Sequence, residues 1–94
     1  MKYLYQMTTH PDGESALEMF RLEGDEIFTT TYHQLGEIHQ PYYVIRGQYV
    51  YPGSGNPAIM KSNPWFLIQG NELYPTSFHP QGEQSNPWYR IVEE

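Results

Sequence analysis

Cysteine is absent from this chain of 94 residues, so neither disulfides nor thiolate metal sites can support the fold. Basic residues are scarce. Lys2, Arg21, Arg46, Lys61 and Arg90 stand against 11 Asp and Glu, a formal net charge of −6. No basic stripe exists to neutralise phosphates, which argues against nucleic-acid binding. No apolar run is long enough to cross a bilayer or to act as a secretory leader. The expectation is therefore a soluble cytoplasmic protein with no membrane partner. Sustained helical periodicity is also missing: only Glu14–Phe20 looks helical, and it is short, so it reads as a strand entry with at most one helical turn before it. Catalytic signatures are lacking too. There is no cysteine nucleophile, no G-x-S-x-G elbow and no glycine-rich phosphate loop, and the carboxylates are spread over turns. A protein that is not an enzyme and carries no cofactor is expected.

What the chain does have is aromatics, at 16% with nine tyrosines, and eight scattered prolines. They are arranged with a period of 23 residues. Pro41, Pro64 and Pro87 align. Met19, Tyr42, Trp65 and Trp88 align behind them, followed by Phe20, Tyr43, Phe66 and Tyr89. Residues 41–63 and 64–86 share nine identities, where chance gives roughly one or two.

The turns explain the spacing. Gly24-Asp25, Gly47-Gln48 and Gly70-Asn71 each separate two apolar runs. A two-residue type II′ hairpin loop needs φ > 0 at its first position, which glycine supplies without steric cost. Half a period away lie His10-Pro11-Asp12-Gly13-Glu14, His79-Pro80-Gln81-Gly82-Glu83 and, without the proline, His33-Gln34-Leu35-Gly36-Glu37. Asn56–Met60 is a degenerate copy. Alternating turns of these two kinds predict an antiparallel meander.

Residues 2–6 match the second strand of a unit and residues 87–92 match the first. The chain starts and stops inside a repeat. Pairing its two ends would remove both edge strands. The expected fold is all-β: four hairpin repeats forming an eight-strand antiparallel meander, closed into a small pseudo-fourfold barrel or ring. Residues 1–94 make one repeat-built domain, with units near 18–40, 41–63 and 64–86 and a fourth split between 1–17 and 87–94. Strands are expected near 2–8, 17–23, 26–33, 41–46, 48–53, 64–69, 71–78 and 87–92. The same pairing of ends made between two chains, as a swapped oligomer, is the alternative. Pro52 and Pro75 cannot donate to a ladder, so a bulge or an unpaired edge is expected there.

Alternation along the strands assigns two faces. One holds Phe20, Tyr43, Phe66 and Tyr89, then Leu22, Ile45, Ile68 and Ile91, then Leu4, Ile27, Val50 and Leu73. It is apolar in every unit and forms the expected core. The other holds Met19, Tyr42, Trp65 and Trp88, then Arg21, Val44, Leu67 and Arg90, then Tyr5, Phe28, Tyr51 and Tyr74. Aromatics with arginine nearby suit an interface or a ligand platform. The plainer reading is that these rings cover the connectors between units or pair across strands.

Two smaller recurrences carry chemistry. His10, His33 and His79 are each followed four residues later by a glutamate. Three imidazoles can hold zinc, but a cross-strand His–Glu pair closing each turn accounts for the glutamates as well. Ser62-Asn63-Pro64 and Ser85-Asn86-Pro87 precede the tryptophans, where Asn63 and Asn86 either form local turns or hold a sugar hydroxyl beside a ring. The period of one hairpin per 23 residues resembles MORN repeats, but the Tyr-x-Gly-x-Trp opening of that family is not present and nothing is carried over from it.

Three functions follow as expectations. The first is an interaction module that self-associates or meets a protein partner through Tyr42, Trp65, Trp88, Tyr5, Tyr51 and Tyr74. The second is a carbohydrate-binding ring with repeat-equivalent sites that include Asn63 and Asn86. The third is metal binding by His10, His33 and His79.

Overall fold

The computed structural model describes residues 1–58 and 62–94. The degenerate turn at 56–60 lies partly outside them. Eight strands form: β1 (Lys2–Gln6), β2 (Phe20–Glu23), β3 (Glu26–Thr29), β4 (Tyr43–Arg46), β5 (Tyr49–Pro52), β6 (Phe66–Gln69), β7 (Glu72–Pro75) and β8 (Tyr89–Glu93). They pair antiparallel in sequence order, and β8 pairs back onto β1 to close a barrel. The seam runs from Lys2↔Glu93 to Gln6↔Tyr89. Beyond it the Met1 amino group donates to the Glu94 carbonyl at 2.9 Å, and the Glu94 amide donates to the Met1 carbonyl at 2.8 Å. Among the described residues every strand pairs with a neighbour on both sides, so the edge-to-edge association that open sheets must guard against is removed within one chain.

The three hairpins close over two residues each, with Glu23↔Glu26, Arg46↔Tyr49 and Gln69↔Glu72 as the last pairs. Gly24, Gly47 and Gly70 have φ of 60°, 63° and 63°, while the polar residue after each has negative φ. That combination is the type II′ turn, whose twist matches that of the flanking strands.

The strands are shorter than the repeat suggested. Residues 14–19 form neither helix nor strand, and β2 starts only at Phe20. Pro52 and Pro75 are the last residues of β5 and β7. The ladders from those strands to the next ones stop two residues earlier, at Val50↔Phe66 and Leu73↔Tyr89. The missing amide donor is therefore unpaired on that side, as proline requires.

Two layers of repeat-related side chains fill the barrel. Leu4, Ile27, Val50 and Leu73 are fully buried, and so are Phe20 and Phe66, with Tyr43 and Tyr89 nearly so. The four rings run in a closed edge-to-face cycle. Phe20–Tyr43 is 5.6 Å between centroids, Tyr43–Phe66 5.6 Å, Phe66–Tyr89 5.7 Å and Tyr89–Phe20 5.4 Å. Each ring offers its edge to a neighbour's face, the arrangement that the aromatic quadrupole favours by about 0.5–1.5 kcal/mol per pair. Among the described residues no buried side-chain nitrogen or oxygen lacks a hydrogen-bond partner.

Candidate functional site

The barrel has two kinds of surface where side chains gather: the end covered by the connectors between hairpins, and the outer face of the strands. The structure divides the expected aromatic face between them.

Strict alternation placed Met19, Tyr42, Trp65 and Trp88 opposite the core. That assignment is corrected. Trp88 is 4% exposed and part of the core, and Met19, Tyr42 and Trp65 pack against it. The physical reason is that these residues precede their strands rather than belonging to them. Each amide donates to a carbonyl of the preceding strand: Met19 to Leu4, Tyr42 to Ile27, Trp65 to Val50 and Trp88 to Leu73, at 2.7–2.9 Å. The chain bends at Tyr42, Trp65 and Trp88 before the regular strand begins. The period of two does not extend through a bend, so both residues 88 and 89 reach the interior.

The histidines meet these rings. His10 lies 4.6 Å from Trp88 and 5.4 Å from Tyr89, and His79 lies 4.8 Å from Trp88 and 5.1 Å from Trp65. His33 packs on Phe20 and Tyr42, at 5.1 and 5.3 Å. In each case Nδ1 accepts the backbone N–H two residues on: Asp12 at 3.0 Å, Leu35 at 3.1 Å and Gln81 at 3.1 Å. Asn56 stands at the fourth equivalent place, and its Oδ1 accepts the Ala58 N–H at 2.9 Å. Imidazole thus does the work of an Asx turn while its ring lids the barrel. Burial pushes all three imidazoles below the usual histidine range. His79 goes furthest, to about 4, because the nearby His10 adds to the effect of burial.

No His–Glu pair closes these turns among the described residues, where the ion pairs are Arg21 with Glu23 and Arg21 with Glu37. The glutamate that recurs after each histidine points elsewhere. Nor is any group of three His, Cys, Asp or Glu among the described residues placed to hold a metal ion.

Tyr5, Tyr51 and Tyr74 stay on the outer face, half-buried, with Phe28 at the fourth place. The Tyr5 hydroxyl donates to the Glu94 carboxylate, which raises its pKa to about 12. The Tyr74 hydroxyl donates to Glu72 at 3.1 Å. The Arg46 guanidinium sits 5.3 Å over Tyr51, and that of Arg21 5.2 Å over Phe28.

Beside Tyr74 lies a groove of about 420 Å³, lined among others by Tyr49, Leu67, Gln69, Phe78 and Glu83. A smaller hollow of about 150 Å³ is lined by Tyr5, Gln6, Met7, Thr8, Glu14, Ser15 and Arg90. Each of these seven residues is the repeat counterpart of one lining the groove, Tyr5 of Tyr74, Glu14 of Glu83 and Arg90 of Leu67 among them. In the wider groove Leu67 stands at the place of Arg90.

The structure therefore brings Tyr42, Trp65 and Trp88 together with His10, His33 and His79 at the covered end. It leaves Tyr5, Tyr51 and Tyr74 outside. Asn63 and Asn86 are exposed in connectors and line neither hollow. The sequence reading missed Tyr49, Phe78 and Glu83 as groove residues. The available signal was a difference between units: Val44 and Leu67 both stand where Arg21 and Arg90 stand, but the Val44 unit has Arg46 two residues on and the Leu67 unit has Gln69.

Comparison with protein-family models, with curated proteins and with solved structures finds no match. Among the described residues no helix is long and apolar enough to cross a membrane.

Proposed function

We propose that this protein is a non-enzymatic binding module that meets a polypeptide partner on its outer face, at the groove beside Tyr74. The observation that carries this reading is a hollow of mixed polar and apolar lining with exposed rings at its rim. Phe78 is 55% and Tyr49 44% exposed, and both line the groove with Leu67 and Tyr74. Aromatic side chains gathered at a concave place are the usual energetic centre of an interface. A second copy of the chain is a candidate partner as well as an unrelated protein.

A parent chain immobilised beside a Tyr49→Ser, Phe78→Ser double variant tests the proposal. A polypeptide retained by the parent and released by the variant supports it. Equal retention by both refutes it. Sedimentation mass of each chain against 11.1 kDa tells self-association from a foreign partner.

One observation favours a second reading. Hollows related by the repeat, each with a tyrosine and a glutamate, suit a carbohydrate-binding ring with equivalent sites. A pyranose could lay its apolar face on Tyr74 while Ser77 and Gln84 meet its hydroxyls. Retention on a glycan array that is lost with Tyr74→Ala would favour this reading over the first. A cytoplasmic location belongs to this reading, and fractionation of the source cells checks that.

A further inference from the structure

The repeat holds its own account of what the groove takes. Three units place an arginine of the chain beside the outer aromatic. Arg21 lies over Phe28 and Arg46 over Tyr51. Arg90 is paired with Tyr5 across the β1–β8 seam and lines the smaller hollow with it. In the Tyr74 unit neither position has a cation: Leu67 stands at the place of Arg21, and Gln69 stands at the place of Arg46. That unit has the groove.

The acceptors for the missing group remain. In the Phe28 unit the Arg21 guanidinium is held by Glu23 and by Glu37, the latter at 3.6 Å. Their counterparts in the groove are Gln69 and Glu83, and both line it. Glu83 makes no ion pair with a described residue. The groove is thus a binding place for arginine from which the arginine has been taken out, with the aromatic floor, the carboxylate and an amide oxygen retained. A guanidinium matches those three partners at once, since it stacks on a ring and donates in its own plane.

We propose that the groove beside Tyr74 accepts an arginine side chain of a basic partner polypeptide. This rests on the reading of the outer face as a protein-binding surface and names the chemistry of what binds there. A formal charge of −6 steers a basic partner in and opposes a second copy of this chain.

The test is a titration of the isotope-labelled chain, followed by amide chemical shifts, with the peptide acetyl-Gly-Ala-Arg-Ala-Gly-amide. The control is the same peptide with citrulline, which has the shape of arginine but no charge. The expected result is a set of shifts at Leu67, Tyr74, Ser77, Phe78 and Glu83, with the citrulline peptide bound about tenfold more weakly. Glu83→Gln weakens the arginine peptide by a similar factor. Leu67→Arg abolishes the shifts, because the chain then fills its own groove as Arg21 does beside Phe28. Both positions are on the outer face, and circular dichroism shows whether the barrel is intact. Equal affinity for the citrulline peptide, no response to Glu83→Gln, or no shifts at the groove overturns the inference. A citrulline peptide that binds the groove equally well removes the guanidinium and leaves the binding surface standing. Equal partner retention by the Tyr49→Ser, Phe78→Ser variant removes the surface itself.

Discussion

Replacing His79 by asparagine separates the imidazole lid from the turn it helps to form. The ring sits among Trp65, Phe66 and Trp88 at 4.8–5.3 Å, and its Nδ1 accepts the Gln81 N–H. Burial, with His10 nearby, lowers its pKa to about 4. An unfolded histidine takes its proton near pH ~6.5. Between those values the unfolded chain binds more protons than the folded one. The contribution is therefore complete above about pH 6.5 and is lost as pH falls towards about 4. The full difference corresponds to about 3 kcal/mol, and solvent screening of a half-buried ring reduces it to about 1.5 kcal/mol. For a domain of this size that is a fall in Tm of about 6–12 °C between neutral pH and pH ~4. Asn56 already holds the equivalent turn through its Oδ1, so His79→Asn keeps the local hydrogen bond and removes the titration. Thermal unfolding followed by circular dichroism, at steps of pH for both chains, makes the comparison. The gap in Tm between parent and variant should narrow by that amount as the solution is acidified, since carboxylates common to both cancel. A gap that stays constant with pH refutes the argument that the lid must remain neutral.

Trp88→Ala empties a place at the covered end that is 4% exposed and should cost about 3–5 kcal/mol, read by denaturant unfolding. Gly53→Ala would put a Cβ 2.4 Å from the Pro41 carbonyl oxygen and 3.0 Å from its carbon. Both are backbone atoms, so a loss of about 1–3 kcal/mol is expected, and an unchanged denaturation midpoint would contradict the close approach. Burial raises the pKa of the Tyr43 hydroxyl well above that of a free tyrosine, with Tyr89 adding to it. Burial also holds Tyr89 high, and the hydrogen bond to Glu94 does so for Tyr5, so an alkaline absorbance titration of Tyr43→Phe should lose one late-titrating tyrosine and keep the others.

The architecture was legible because it rests on local backbone geometry. Gly24, Gly47 and Gly70 sit at the first position of two-residue loops, and only a tight reversal uses a glycine followed by a polar residue in that way. A chain cut within a repeat leaves two half-hairpins, and the β1–β8 pairing is the consequence. Alternation holds inside the strands, where Phe20, Ile27, Val50 and Leu73 all face inward. It fails one residue outside them. Met19, Tyr42, Trp65 and Trp88 were assigned by counting twos past the start of their strands, where the chain bends at the last three.

The histidines show the same limit in a different way. Their recurrence with Glu14, Glu37 and Glu83 suggested pairing across the turn, yet each ring points at the barrel and each Nδ1 takes a backbone donor. Nothing in the spacing of His and Glu distinguishes a ring that reaches sideways from one that folds over an aromatic floor. The groove was half visible. That Leu67 and Gln69 leave the Tyr74 unit without an arginine is a fact of the sequence, but the hollow of about 420 Å³ beside Tyr74 is not.

From its sequence alone, this chain determined the number of strands, their antiparallel order and the circular closure, because turns and periods act between neighbours a few bonds apart. Only the tertiary structure decided which rings are covered and where a hollow remains. Those outcomes depend on where each connector lies against a distant strand, and that position is set by packing across the whole circle.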